Sequence, residues 1–185
     1  MKRLLTAAML AILPTAAFAQ VGCYVEGSLA SSITSSKLEG TVSATLATDG
    51  YTGGIGVGCD YKLNSKFLVG GFGRYDIGKI DGTTFDTKIS QDAVWTAAAR
   101  AGYFVNPSVL IYGLAGLSGT KIDFTGVDKI SAEGLVLGAG LEIDLGANIW
   151  LGAEYTRTDF GKFNIDADRL NPTSDTVRMT MKYKF

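Results

Sequence analysis

The 185-residue sequence predicts an all-β protein, an eight-stranded antiparallel up-and-down β-barrel. Apolar and polar residues alternate with period two in eight segments, which is the pattern of strands that present two different faces. The connections between these segments alternate between tight turns and longer polar stretches. Eight Tyr and nine Phe beside only three Pro are also more typical of β structure than of a helical bundle.

The alternation is clearest in the fourth and eighth segments. Between Asp92 and Phe104 every odd position is apolar, whereas the charges lie at even positions, and the last segment repeats this pattern. A helix would distribute the charges around its circumference, whereas a strand places them on one side. The eight predicted strands are Val21–Ser31, Tyr51–Lys62, Lys66–Ile77, Asp92–Val105, Ser108–Ser118, Ile130–Asp144, Ile149–Phe160 and Ser174–Phe185.

The connections predict two different ends for the barrel. Tight turns of Asn, Gly or Pro are expected at Leu63–Ser65, Asn106–Pro107 and Leu145–Asn148. Short turns at one end and long polar loops at the other are typical of transmembrane β-barrels. The predicted long loops are Ser32–Gly50, Gly78–Gln91, Gly119–Lys129 and Gly161–Thr173.

The first 19 residues have the three parts of a secretory signal peptide. The basic start Met1-Lys2-Arg3 precedes an apolar run and then Ala17-Phe18-Ala19, a cleavage site of the A-x-A type. An N-terminal anchor helix is the alternative, but the run is short and contains Pro14. We expect cleavage between Ala19 and Gln20, which makes residues 1–19 the signal peptide and residues 20–185 the barrel domain.

The two faces of the predicted strands differ, and the face that lines the lumen decides the class of barrel. One face is aliphatic, and the other is charged, with Lys62 and Lys182 adding to its basic side. A secreted soluble ligand-binding barrel would turn the aliphatic face inward, whereas a transmembrane barrel turns it toward lipid. The charged face carries Glu26, Asp60, Arg74, Asp76, Arg100, Glu142, Glu154 and Arg178.

Aromatic residues favour lipid against the aliphatic face. Two belts of aromatic side chains around a barrel, one on each side of an aliphatic band, form the girdles of bilayer-facing strands. Near the long-loop ends lie Tyr51, Tyr75, Trp95 and Tyr155, and near the short-turn ends lie Tyr61, Phe67, Tyr103, Tyr183 and Phe185. The charged face is also rich in Gly, which leaves room for long Arg and Glu side chains in a narrow lumen.

Four short segments of the chain resemble those of a known protein family. They are Ala99–Pro107, Leu110–Gly113, Gly138–Glu142 and Ala153–Tyr155. In this order behind a signal peptide, the chain resembles the small outer-membrane β-barrels of Gram-negative bacteria, specifically the opacity/porin-like (outer membrane protein beta-barrel domain) family. The resemblance covers residues 20–185 and implies an outer-membrane location in the cell envelope. It also implies that the C-terminal aromatics, Tyr183 and Phe185, are read by the outer-membrane assembly machinery, whereas the first long loop and the Cys pair are not typical of the family.

The charged lumen admits two functional interpretations. An eight-stranded barrel is just wide enough for side chains to fill it, and buried charges are costly unless they are paired. We therefore expect an ion-pair network that closes and rigidifies the barrel. The alternative is a gated pore of small conductance, in which the pairs rearrange.

Cys23 and Cys59 lie on the first two predicted strands, on the same face and near the same end. Secretion permits oxidation, so the pair is a candidate disulfide. The alternative is two small lipid-facing thiols, because the geometry of a cross-strand disulfide is demanding.

The residue inventory argues against catalysis. The chain has no His, so it cannot form the Ser–His pair of hydrolytic barrels, and we expect no enzyme activity, no cofactor and no metal site. A net charge of −1 offers no basic surface for nucleic acid. The expected partners are outer-membrane lipids, periplasmic chaperones and the assembly machinery, and the expected state is a monomer. Because loops on a rigid scaffold often carry binding sites, a surface adhesin that contacts a host or surface ligand is an alternative.

Overall fold

The computed structural model describes residues 21–39, 44–84, 87–124, 127–161, 163–165 and 168–185. The predicted signal peptide and its cleavage site between Ala19 and Gln20 lie outside the described residues. None of the described residues belongs to a helix that is long and apolar enough to cross a membrane.

The described chain forms one antiparallel sheet that closes on itself. Its order is β1 to β7 followed by β9, and β1 pairs with both β2 and β9. The short β8 pairs only with the start of β9, so eight strands form the wall, as predicted. The strands are β1 (Val21–Glu39), β2 (Ala44–Lys62), β3 (Phe67–Thr84), β4 (Thr87–Asn106), β5 (Val109–Phe124), β6 (Val127–Gly146), β7 (Ile149–Asp159), β8 (Phe163–Ile165) and β9 (Asp168–Lys184).

The predicted long loops are wrong over most of their length, because the strands continue through them. In the first hairpin, the ladder runs from Ser32, opposite Gly50, to Leu38, opposite Ala44. The alternation of apolar and polar residues disappears where neither face of a hairpin meets an apolar medium. Hydrogen bonds between the backbone N–H and C=O groups still stabilise the paired strands there. The same correction applies to the predicted loops Gly78–Gln91, Gly119–Lys129 and Gly161–Thr173.

The three tight turns lie where the sequence predicts them. The turn between β6 and β7 places Ala147 and Asn148 in the left-handed region, with φ of 51° and 64°. Two successive residues of positive φ match the right-handed twist of the strands in a two-residue hairpin. The side chain of Asp144 supports this turn by accepting a hydrogen bond from the Gly146 amide at 2.8 Å.

The apolar face of the wall points outward. Leu29 and Ile55 expose 73% and 72% of their surface, whereas Arg100 and Glu142, on the opposite face, expose 3% and 0%. This orientation contradicts the soluble barrel, which would bury the aliphatic side chains. An exposed apolar surface of this extent marks a membrane-facing wall, and a closed sheet satisfies its own backbone there.

Candidate functional site

The barrel interior gathers all of the predicted lumenal charges. Their positions are even-numbered, and even-numbered side chains point inward on all eight wall strands. Antiparallel strands preserve this parity from one end of the wall to the other because successive side chains alternate between faces. The buried predicted charges are Glu26, Asp60, Arg74, Asp76, Arg100, Glu142, Glu154 and Arg178.

The level nearest the long hairpins contains one bidentate pair. Arg178 donates to Oδ1 and Oδ2 of Asp76 at 2.5 and 2.9 Å. Its Nη1 also donates to the hydroxyl of Ser28 at 2.9 Å. Two parallel hydrogen bonds from a planar guanidinium fix both partners in direction as well as distance.

The middle level joins three strands through Arg74. Its Nε donates to Oε1 of Glu26 at 2.6 Å, and its Nη1 donates to Oε1 of Glu154 at 2.8 Å. The hydroxyl of Tyr112 donates to the other oxygen of Glu154 at 2.9 Å. This level therefore spans the lumen from β1 and β3 to β5 and β7.

The level nearest the short turns is the most highly charged. Arg100 donates to both oxygens of Asp60 at 2.8 and 2.5 Å and also pairs with Glu142. Lys182 bridges to the middle level, since its Nζ lies 2.7 Å from Glu142 and 3.1 Å from Glu26. Nε of Arg178 lies 3.8 Å from Glu154 and so joins the level nearest the long hairpins to the middle one. The three levels are thus one connected network.

The network is balanced in charge. Its five carboxylates meet five cations, because Lys182 and Lys184 join the three arginines. The period of two in the sequence assigns both Lys182 and Lys184 to the polar face, but it does not predict that Lys184 joins the network, and Lys62 lies exposed at the rim. Removing one partner of a buried pair costs about 3–5 kcal/mol, because the other charge is left without compensation.

Two buried tyrosines, which are not among the predicted site residues, pack against the level nearest the short turns. The Arg100 guanidinium lies 4.9 Å from the Tyr24 ring centroid and 5.1 Å from that of Tyr112. Both tyrosines are even-numbered, so the strand parity is the signal that could have found them. Cation–π contacts of this kind add attraction without adding charge.

Glycines make room for these rings. A Cβ on Gly58 would lie 2.5 Å from the Tyr24 ring, and one on Gly140 would overlap the ring of Tyr112. The expectation that the inward glycines accommodate long charged side chains is therefore incomplete, since the tyrosine rings need the space as well. Gly70 does serve a charged group, because Asp60 occupies the space that a Cβ there would take.

Large apolar side chains fill much of the remaining lumen near the short turns. Trp150 packs edge-on against Phe104, with ring centroids 6.3 Å apart. A cavity of about 40 Å³ lies between the network and the long hairpins, and another of about 320 Å³ lies between the network and the short turns. The buried apolar side chains that form one cluster along the lumen are Tyr24, Leu68, Phe72, Ala98, Phe104, Leu110, Tyr112, Leu114, Val136 and Trp150.

The predicted girdle aromatics all lie on the outer wall. Tyr75 is paired in register with Trp95 toward the long hairpins, and Phe67 is paired with Tyr103 toward the short turns. The two levels are eight residues apart on β3 and β4, or roughly 27 Å along the strand. The remaining members are Tyr51, Tyr61, Tyr155, Tyr183 and Phe185, and each exposes at least a third of its surface.

Cys23 and Cys59 are directly opposite each other in the β1–β2 ladder. The structure joins them in a disulfide with a Cα–Cα distance of 4.0 Å. Both residues lie on the outward face near the short turns. Within the described part of the chain, no three His, Cys, Asp or Glu side chains are grouped to hold a metal ion.

A closed eight-stranded barrel with an aliphatic outer wall, aromatic girdle positions and an ion-paired interior is the architecture of an outer-membrane β-barrel protein. The model of the outer membrane protein beta-barrel domain family matches residues 4–185. The chain belongs to this family, and it is an integral outer-membrane barrel of the bacterial cell envelope.

Two kinds of relatives agree with this assignment. The 31 kDa outer-membrane immunogenic protein of Brucella melitensis biotype 1 is 29% identical over 168 residues, which covers 77% of this chain and 70% of the relative. The protein of the same name in Brucella suis biovar 1 gives the same values. The crystal structure of Neisserial surface protein A shares the fold, with a TM-score of 0.57, 20% identity and coverage of 88% of this chain and 97% of that one.

Proposed function

We propose that this protein is a structural barrel of the outer membrane whose lumen is closed by its ion-pair network. The observation that carries the proposal is the connected set of pairs from Asp76–Arg178 to Asp60–Arg100. These pairs occupy successive levels of a lumen that side chains can fill in a barrel of this size. Opening a path would require separating several buried charges at once.

The contacts of Arg100 across the lumen support a closed barrel over a conducting pore. Arg100 alone contacts acids on β2 and β6 and aromatic rings on β1 and β5. Its side chain therefore fills much of the cross-section at that level. The cavities above and below the network are separated by these groups.

Two measurements test the proposal, single-channel recording in planar bilayers and the free energy of unfolding, each made on the wild-type protein and on Arg100→Ala. We expect no discrete conductance from the wild-type protein. The variant leaves Asp60 and Glu142 short of a cation, and the free energy of unfolding should fall by about 3–5 kcal/mol. Heat-modifiable migration on a gel reports whether each sample is folded.

Arg157→Ala is the matched control. This arginine lies on the outer wall, 59% exposed, and pairs with Asp175 at 3.7 Å. An exposed pair of that kind contributes at most about 1 kcal/mol. Discrete conductance of the wild-type protein would overturn the closed barrel in favour of the small pore, and equal stability of the two variants would remove the role of the network.

The route to the membrane belongs to the same proposal. Residues 1–19 serve as a signal peptide, chaperones carry the chain through the periplasm, and the assembly machinery reads Tyr183 and Phe185. The position of the final strand supports this role, because β9 pairs with β1 to close the barrel. The inserted protein is a monomer surrounded by lipid. Catalysis is not expected from a chain that lacks His altogether.

A second candidate function is adhesion through the long hairpins. The ladder between β1 and β2 continues well past Tyr51, so this hairpin projects beyond the girdle. Replacing residues 33–49 by a two-residue turn keeps the pairing of Ser31 with Tyr51. Loss of cell binding with normal insertion would support an adhesin, whereas unchanged binding would dismiss it.

A further inference from the structure

The larger of the two lumenal cavities lies at the short-turn end, which faces the periplasm in this class of barrel. This mouth cavity has a volume of about 320 Å³, and Phe104 and Trp150 are among its lining residues. Both rings are buried, and they pack against each other. Clefts of about 300 Å³ and more are large enough for small ligands.

Two ammonium groups lie over these rings. Nζ of Lys184 is 3.8 Å from the Trp150 ring, and Nζ of Lys62 is 5.4 Å from the Phe104 ring. Both lysines line the mouth cavity. The cavity therefore combines an aromatic surface with two positive groups at its edge.

The lysines at the mouth have few ion-pair partners. Asp60, two residues before Lys62 on the same strand, is held by Arg100. Asp144 keeps its charge while it accepts a hydrogen bond from the Gly146 amide, but it does not line the cavity. Among the described side chains, no carboxylate lies within ion-pair distance of Lys62. Lys62 therefore lies outside the balanced network, as an exposed cation at its edge.

Lys184 shares both of its carboxylate partners with other cations. Its Nζ lies 3.4 Å from Glu142 and 4.0 Å from Asp60. Glu142 already serves Arg100 and Lys182. An anion at the mouth would thus meet one cation without an ion-pair partner among the described side chains and one that shares its carboxylates with other cations.

We propose that the mouth cavity binds a small aromatic anion from the periplasm, of the phosphate monoester or carboxylate class. Lys62 and Lys184 bind the anionic group, and the apolar part packs against Trp150 and Phe104. Binding requires no path through the barrel, so it is independent of whether the lumen conducts.

The two tryptophans make the cavity easy to observe. Trp95 lies on the outer wall and Trp150 lines the mouth, so Trp95→Phe leaves Trp150 as the single reporter. Folded barrel of this variant is titrated with phenyl phosphate, and the emission of Trp150 is recorded. We expect a saturable change in emission that weakens as salt is raised. Phenol and inorganic phosphate, which each lack one half of the ligand, should bind at least tenfold more weakly.

Two lysine variants in that background complete the test. Lys62→Gln should weaken the binding of phenyl phosphate about tenfold. Lys66→Gln is the matched control, because Lys66 is exposed in the same turn region but does not line the cavity, and it should change affinity less than twofold. Heat-modifiable migration shows that each variant is folded. Any of three results would overturn the proposal. They are equal affinities of the two lysine variants, equal binding of phenol and phenyl phosphate, and a change in emission that never saturates.

Discussion

The two halves of the barrel interior use different chemistry. The half near the short turns is charged and aromatic, and it includes Glu142, Arg100 and Lys182. The half near the long hairpins is lined by hydroxyl groups that pair with one another, such as Ser32 with Thr176 at 2.8 Å. Further hydroxyl side chains in that half are Thr34, Thr52, Thr96, Ser118, Thr120, Thr156, Thr158 and Ser174.

The two halves therefore differ in the free-energy cost of replacing their internal contacts by water. A neutral hydroxyl contributes only about 1 kcal/mol net when it is paired, because water replaces its partner readily. A buried ion that loses its partner costs several kcal/mol. In the closed barrel that we propose, the half near the short turns therefore carries most of the stability of the interior, whereas the other half can admit water at low cost.

The largest expected effect is that of Glu142→Gln. This fully buried carboxylate pairs with Arg100, Lys182 and Lys184, so its neutral isostere leaves three cations with too little negative charge. We expect the free energy of unfolding to fall by about 3–5 kcal/mol in denaturant titrations. Glu133→Gln, at an exposed position, is the control. A loss that is no larger than the control's would mean that the charged half does not dominate stability.

A smaller effect is expected for Gly58→Ala, which tests the packing of the charged half. The added Cβ would lie 2.5 Å from the Tyr24 ring and 2.8 Å from Phe72, so a neighbouring group must move. Overpacking of this kind costs about 1–3 kcal/mol. Gly73→Ala, on the adjacent strand, is the control, because its Cβ would meet nothing within 4 Å. If both variants unfold at the same denaturant concentration, the ring is not tightly held.

The smallest effect belongs to the hydroxyl half. Thr176→Val keeps the shape of the side chain but removes the partner of Ser32. The free energy of unfolding should fall by about 0.5–1.5 kcal/mol in the same assay. A loss as large as that of Glu142→Gln would abolish the distinction between the two halves.

Much of the barrel is predictable from the chain. The period of two assigns Glu142 and Arg178 to one face and Leu29 and Ile55 to the other, and the structure confirms these faces. Tight turns follow from local residue preferences, as at Ala147 and Asn148. Such features depend on neighbours in sequence, which is why the sequence predicts them.

The pairing inside the lumen is not predictable in this way. Arg74 meets Glu154 from 80 residues away, and Arg178 meets Asp76 from 102 residues away. Which acid meets which arginine depends on the stagger between strands and on where β1 meets β9. The exposure of Lys62 and the inclusion of Lys184 follow from the same closure.

The sequence by itself determined which side chains face lipid, which face the lumen, and at which end the chain turns tightly. It did so because alternation and turn chemistry are local properties of the backbone. Only the tertiary structure decided how far the hairpins extend, which charges pair, and that two tyrosine rings enclose Arg100. Those features arise when the sheet closes and brings distant strands across a narrow lumen.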